Sequence, residues 1–222
     1  MTLVNNTVNM EQVKRYVEQK EYGKPIILRD VVWYFKTDNN NFIEMRNTIS
    51  QYLNRLVNYK ELQKFVDGVF YKTKQNVFGE TPIDVVELIR DIYLFDNGTK
   101  SIIGYRVGAT VLANIGIANN LENKYEIVTN NYNKKKVLDK IKLNVQLKKP
   151  PVEVNNDNYR YLQLLDTVKN LEKYHLIGDH AGKKLTEYMN KNDIKTDKLF
   201  KLAKEYYTKK TMNNLLDLLA MD

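Results

Sequence analysis

Met10, Val13, Tyr16 and Val17 recur at helical spacing, and Asn9 stands before them as an N-cap, so the pattern predicts a helix over Met10–Lys20. Gly23-Lys24-Pro25 ends it. Ile26-Ile27 reads as a short strand, Arg29–Phe35 as a second helix with a thick apolar face, and Thr37–Asn41 as a turn. Phe42–Tyr59 is the clearest amphipathic helix, with Ile49, Leu53, Leu56 and Val57 as its buried stripe. Two alternating runs follow, Leu62–Val66 and Val69–Lys72. They flank Asp67-Gly68, a strong signal for a two-residue hairpin. The order helix, strand, helix, turn, helix, hairpin is that of a winged helix-turn-helix, with the hairpin as wing.

Beyond residue 75 the pattern is mixed. Pro82 marks a helix start in Thr81–Tyr93, Lys100–Tyr105 looks extended, and Val107–Asn114 reads as a short helix. Tyr125–Thr129 is a strand, with Val137–Leu143 and Val145–Leu147 as further candidates. Lys149-Pro150-Pro151 breaks the pattern. After it, Tyr159–Lys173, Ile177–Lys191, Thr196–Lys204 and Tyr206–Leu219 all read as helices. The expected fold class is α+β. Residues 1–75 form an N-terminal winged helix-turn-helix, and residues 76–222 a mixed α/β domain, helical after about 150.

A recognition helix packs one face on its own domain and offers the other to base edges in the major groove. On Phe42–Tyr59 the outer and flanking positions are Arg46, Asn47, Ser50, Gln51, Asn54 and Arg55, with few acids after Glu44. Arg pairs bidentately with guanine, and Asn or Gln with adenine. Lys64 at one end of the hairpin, and Lys72 and Lys74 at the other, are the candidate phosphate contacts. A solvated helix face accounts for any one of these residues. Element order, hairpin and acid-poor face together point to double-stranded DNA.

The stretch ISQYLNRLVNYKELQKFVDGVFYK resembles the AbiEi family of antitoxin regulators through Leu53, Arg55, Leu56, Leu62, Lys64, Gly68, Val69 and Tyr71. The family's glycine after the recognition helix is replaced here by Tyr59-Lys60. The resemblance continues through Phe78-Gly79, Pro82, the run Ile103–Ile117, and Ile127-Val128-Thr129-Asn130, covering about residues 10–130. It implies an autorepressor whose winged helix binds inverted repeats in its own promoter. It also implies a C-terminal region that neutralises a nucleotidyltransferase-like toxin encoded downstream. The family is associated with abortive infection against phage, in type IV toxin–antitoxin systems whose two proteins need not bind each other. Two alternatives stay open from the residues themselves: a winged-helix transcriptional regulator without a toxin partner, and an interaction protein whose winged helix binds protein or RNA.

Composition narrows the classes further. The net charge of +8 permits a polyanion partner. Residues 1–75 carry 12 basic against 8 acidic side chains, and residues 76–150 carry 11 against 8. With no cysteine, disulfides, thiolate catalysis and Cys-based zinc sites are excluded. The first residues lack the apolar core of a signal peptide and no stretch is long enough to span a membrane, so a cytoplasmic protein without a membrane partner is expected.

No catalytic motif emerges. His175 and His180 are the two histidines, with Asp179 between; their spacing is not that of a helical zinc pair, so a loop or cap role is expected and no metal. Glycines Gly104, Gly108 and Gly116 match neither a Walker loop nor a dinucleotide turn, and read as close-packing positions. Asp84, Glu87 and Asp91 sit at helical spacing as a solvated face. The basic runs Asn133–Lys136, beside Tyr132, and Lys148-Lys149 read as exposed turns, with a second nucleic-acid patch as the alternative. No enzyme and no cofactor are expected.

Overall fold

The computed structural model describes residues 8–37, 41–118, 124–173 and 180–221. The fold is mixed α and β, with a helical C-terminal region. The chain forms two compact units. One runs to Ile92 and takes in Asn97–Lys100; the other holds Tyr93–Asp96 and the described chain from Ser101 onward.

In the first unit, helix α1 (Met10–Glu18) starts with a capping box. The Gln12 amide donates to Asn9 Oδ1 at 2.9 Å, and the Asn9 amide donates to Gln12 Oε1 at 2.9 Å. Strand β1 (Pro25–Ile27) leads into α2 (Leu28–Phe35), and α3 (Phe42–Asn58) is capped by Asn41, which accepts from the Ile43 amide at 3.1 Å. Residues 38–40 of the predicted turn lie outside the described residues. Strands β2 (Gln63–Val66) and β3 (Val69–Tyr71) form an antiparallel hairpin with a bulge between Lys64 and Val66, and β1 pairs with the other edge of β3. The strand order is β1-β3-β2. Val13 and Val17 from α1, Val31 and Val32 from α2, Ile49, Leu53 and Leu56 from α3, and Ile26 and Phe70 from the sheet make one apolar core. Gly68 sits at φ +77°, a left-handed conformation that glycine adopts without steric cost, and its carbonyl accepts the Leu28 amide at 2.8 Å. The hairpin turn therefore lies against the start of α2.

A second, unanticipated hairpin follows: β4 (Gln75–Asn76) and β5 (Gly79–Glu80), closed by Val77-Phe78. The helix expected over Thr81–Tyr93 starts later, as α4 (Val85–Ile89) continued by a π-helical turn at Arg90–Leu94. Residues 81–84 have other bonds to make. The Thr81 amide donates to the Lys74 carbonyl at 3.0 Å and the Asp84 amide to the Gly23 carbonyl at 2.7 Å, leaving Asp84 as the N-cap. Pro82 thus precedes the helix instead of opening it.

The second unit begins with the pair β6 (Phe95–Asp96) and β7 (Ser101–Ile102). Its main sheet has the order β10-β9-β8, with β8 (Gly104–Val107) antiparallel and β10 (Val145–Lys148) parallel to β9 (Tyr125–Thr129). A Cβ on Gly104 would meet the Tyr93 carbonyl oxygen at 2.1 Å, so glycine is required for that approach. Val137–Leu143, expected as a strand, is instead a 3-10 helix over Lys135–Lys140. Both edges of β9 are already taken by β8 and β10, and Val137 and Ile141 are buried four residues apart. Helices α5 (Ala109–Ile115), α6 (Tyr159–Val168), α7 (Ala181–Lys191), α8 (Thr196–Tyr206) and α9 (Lys209–Leu219) share a core that includes Leu112, Leu165, Leu185, Leu199 and Leu215. The part of the predicted Ile177–Lys191 helix before His180 lies outside the described residues. The strands before Pro151 and the helices after it belong to the same compact unit. No described helix is long and apolar enough to cross a membrane.

Candidate nucleic-acid interface

Helix α3 buries Met45, Ile49, Leu53 and Leu56, at spacings of four, four and three, and this leaves the opposite face to solvent. Arg46, Asn47, Gln51 and Arg55 are exposed; Ser50 and Asn54 are half-buried. At about 100° per residue, Asn47, Gln51 and Asn54 share the outer face and Ser50 sits at its edge. Arg46 and Arg55, about two and a half turns apart, fall on opposite flanks. Glu44 in the first turn is the one acid of the helix. The Asn54 side-chain amide donates to the Ser50 carbonyl at 2.7 Å, so one of its two N–H groups is engaged along the helix. The Arg55 guanidinium lies 5.8 Å from the Tyr52 ring centre, a loose stacking that steadies the side chain.

The end of α3 turns without a glycine. Lys60 takes φ +60°. Its amide donates to the Val57 carbonyl at 3.0 Å, and the Glu61 amide to the Leu56 carbonyl at 2.9 Å. These are the two bonds of a Schellman motif, with lysine in the left-handed position that glycine ordinarily fills.

The three hairpin lysines are not brought together. Lys64 Nζ lies 2.6 Å from Asp67 Oδ1, near the turn. Lys72 and Lys74 lie beyond the other end of β3, where Tyr71 pairs with Pro25. Four residues of extended chain, roughly 13 Å, separate Gly68 from Lys72. Lys72 Nζ donates to the Glu18 carbonyl at 2.9 Å, where a cation suits the C-terminal end of α1. Lys72 and Lys74 also flank the exposed ring of Tyr22, at 4.8 and 5.2 Å from its centre. Tyr22 carries no sequence signal of this role, because it meets the lysines only through the β1–β3 pairing. Past Lys74, Val77 and Phe78 are 93% and 97% exposed at the tip of the second hairpin. The sequence signal for that tip is Asn76 and Gly79 on either side: the Phe78 amide donates to Asn76 Oδ1 at 2.8 Å and Gly79 takes φ +106°.

The first unit also has a cleft of about 700 Å³ lined by Tyr16, Lys24, Trp33, Tyr34, Glu87 and Arg90, among others. Its principal charges hold one another. Lys24 bridges Asp84 and Glu87, Arg90 pairs with Asp91 at 2.8 Å, and Asp30 accepts from Arg29 at 2.7 Å and from Asn97 at 3.0 Å. Asp84, Glu87 and Asp91 are therefore ion-paired, and Asp91 is buried instead of forming a solvated face. Burial raises the Asp91 carboxyl above the usual range, against the pull of Arg90. His180 is exposed at the N-cap of α7 with φ +67°; His175 and Asp179 lie outside the described residues. Among the described residues no group of three or more His, Asp or Glu is arranged to hold a metal ion.

No protein-family model, curated protein or solved structure matches the chain.

Proposed function

We propose that the first unit is a winged helix-turn-helix that binds double-stranded DNA through α3, and that the protein is a transcriptional regulator. The observation that carries this reading is the element order α1-β1-α2-α3-β2-β3 with strand order β1-β3-β2, combined with an α3 outer face of amides flanked by two arginines. Asn47, Gln51 and Asn54 are the base readers, and Arg46 and Arg55 reach from the two flanks. The short hairpin, its turn bonded to α2, contributes Lys64 as its phosphate contact. Lys72 and Lys74 contact phosphate only if the duplex extends along the Tyr22 end of the sheet. The residues shared with the AbiEi family support the more specific role of autorepressor and antitoxin to a nucleotidyltransferase-like toxin.

The test is a gel shift with the DNA immediately upstream of the chain's own gene, competed with an unrelated duplex at physiological salt. Retention of the upstream DNA is expected, and Arg55→Ala should reduce its affinity by about tenfold or more while the fold is kept. Equal competition by the unrelated duplex would remove the operator-reading role. A toxicity assay with the downstream gene separates the antitoxin from a plain regulator: loss of rescue when the chain is omitted supports the former.

A further inference from the structure

The second unit carries a basic surface that the tertiary fold assembles from two separate runs. Residues 132–149 hold seven lysines against one acid, Asp139. The 3-10 helix over Lys135–Lys140 buries Val137 inward, and Ile141 follows it, so Lys135, Lys136 and Lys142 stand in solvent. None of these three makes an ion pair among the described residues. Lys149 comes back from beyond β10 to lie 5.8 Å from the centre of the Tyr132 ring, which joins the Lys148-Lys149 run to the Asn133–Lys136 run. Nearby Glu126 is already neutralised by Lys124 at 3.2 Å and Lys148 at 3.0 Å.

The backbone beneath these lysines is pinned. Asn130 closes a two-way bond with Val154, its Nδ2 donating to the carbonyl and its Oδ1 accepting from the amide, each at 2.9 Å. The fully buried Thr129 accepts the Asn131 amide at 3.1 Å and donates to the Ile103 carbonyl at 3.2 Å. The Tyr93 hydroxyl donates to the Lys134 carbonyl. The charge is thus presented on a fixed scaffold, so binding loses little backbone entropy.

We propose that this surface binds the phosphate backbone of duplex DNA without reading sequence, as a second anchor separate from α3. The lysines are point charges suited to phosphate, and the segment has no arginine for bidentate base contacts. Its one aromatic ring, Tyr132, is half-buried beneath Lys149 and so offers no stacking platform, which favours a closed duplex over a single strand. The choice of DNA over duplex RNA rests on the reading of α3 given above.

The experiment measures binding of the full chain to an unrelated duplex by fluorescence anisotropy between 50 and 200 mM salt (about the range over which phosphate contacts dominate). The triple variant Lys135→Gln, Lys136→Gln, Lys149→Gln is compared with Arg46→Ala, Arg55→Ala and with the parent. For the triple variant, the slope of log affinity against log salt should become shallower by about 2 to 3, at about 0.9 per lost phosphate contact. Its preference for the upstream DNA should be retained, and its unfolding transition unchanged. The two-arginine variant should lose that preference and keep its binding through the patch. A triple variant with the parent's slope and affinity overturns the proposal while leaving the α3 reading intact. A parent without sequence preference, whose unrelated-duplex binding still falls in the triple variant, sinks the α3 reading and keeps the patch. Tighter binding to duplex RNA or to a single strand overturns the assignment to DNA.

Discussion

Each unit holds a carboxylate out of water, and the two do so differently. In the first, Asp91 is 5% exposed and has a cation beside it in sequence, Arg90, at 2.8 Å. In the second, Asp166 on α6 is held by the Tyr105 phenol. Tyr105 on β8 donates to its Oδ2 at 2.6 Å, while the hydroxyl of Tyr207, just after α8, donates to the Leu162 carbonyl at 3.4 Å. Burial raises both carboxyls above their usual range, and it raises both phenols above theirs. One arrangement pairs sequence neighbours, a buried aspartate and a half-exposed arginine, with Asn97 six residues on also favouring the carboxylate. The other joins side chains 61 residues apart, and the buried Tyr105 hydroxyl depends on Asp166 as its acceptor. When the carboxylate of the local pair is lost, its half-exposed arginine can turn to solvent; the buried Tyr105 hydroxyl cannot.

The comparison breaks most easily at the cores. Leu53→Ala in α3, which is fully buried, should destabilise the chain by about 3 kcal/mol in urea unfolding. A loss under about 1 kcal/mol would mean that the α3 stripe is not the centre of that core.

Next comes Asp166→Leu. It leaves the buried Tyr105 hydroxyl without its acceptor, and should cost about 2 kcal/mol. Asp91→Asn should cost under about 1 kcal/mol, because Arg90, 54% exposed, can be hydrated instead. Equal costs at the two sites would erase the distinction between them.

A pH titration sharpens it. Each folded carboxyl pKa lies above the unfolded value of about 4. Each group therefore favours the fold most below that value, and the contribution is lost as pH rises through the folded pKa. The melting temperature of the parent should fall, relative to an Asp91→Asn, Asp166→Asn double variant, as pH is raised from about 4. Parallel profiles would show that neither carboxyl is perturbed.

The smallest effect is at the end of α3. Lys60→Gly relieves a left-handed lysine and should stabilise by about 0.5–1 kcal/mol in thermal unfolding. Destabilisation there would mean that the lysine side chain makes up for its strained backbone.

Much of the first unit was legible because its signals are local. A capping residue at Asn9, the apolar period in Phe42–Asn58, and Asp67-Gly68 between two alternating runs each act over a few residues. The outer face of α3 follows from the same period. The positions of Lys72 and Lys74 do not, because the β1–β3 pairing carries them to Tyr22. Val137–Leu143 shows the limit more sharply: its pattern is compatible with a strand, yet the segment packs Val137 and Ile141, four residues apart, inward from a 3-10 turn.

By itself, then, the chain determined the helices and hairpin turn of its first 75 residues, the stripe that α3 buries, its lack of any thiol chemistry, and an excess of positive charge. Tertiary structure decided which charges stand together. It set Lys149 over Tyr132 beside the 3-10 lysines, paired Lys24 with Asp84 and Glu87, and brought Tyr105 onto Asp166. The physical reason is range: backbone propensity and hydrophobic period act over a few residues, whereas ion pairs, stacking and buried hydrogen bonds depend on which distant segments the packing brings within a few ångströms.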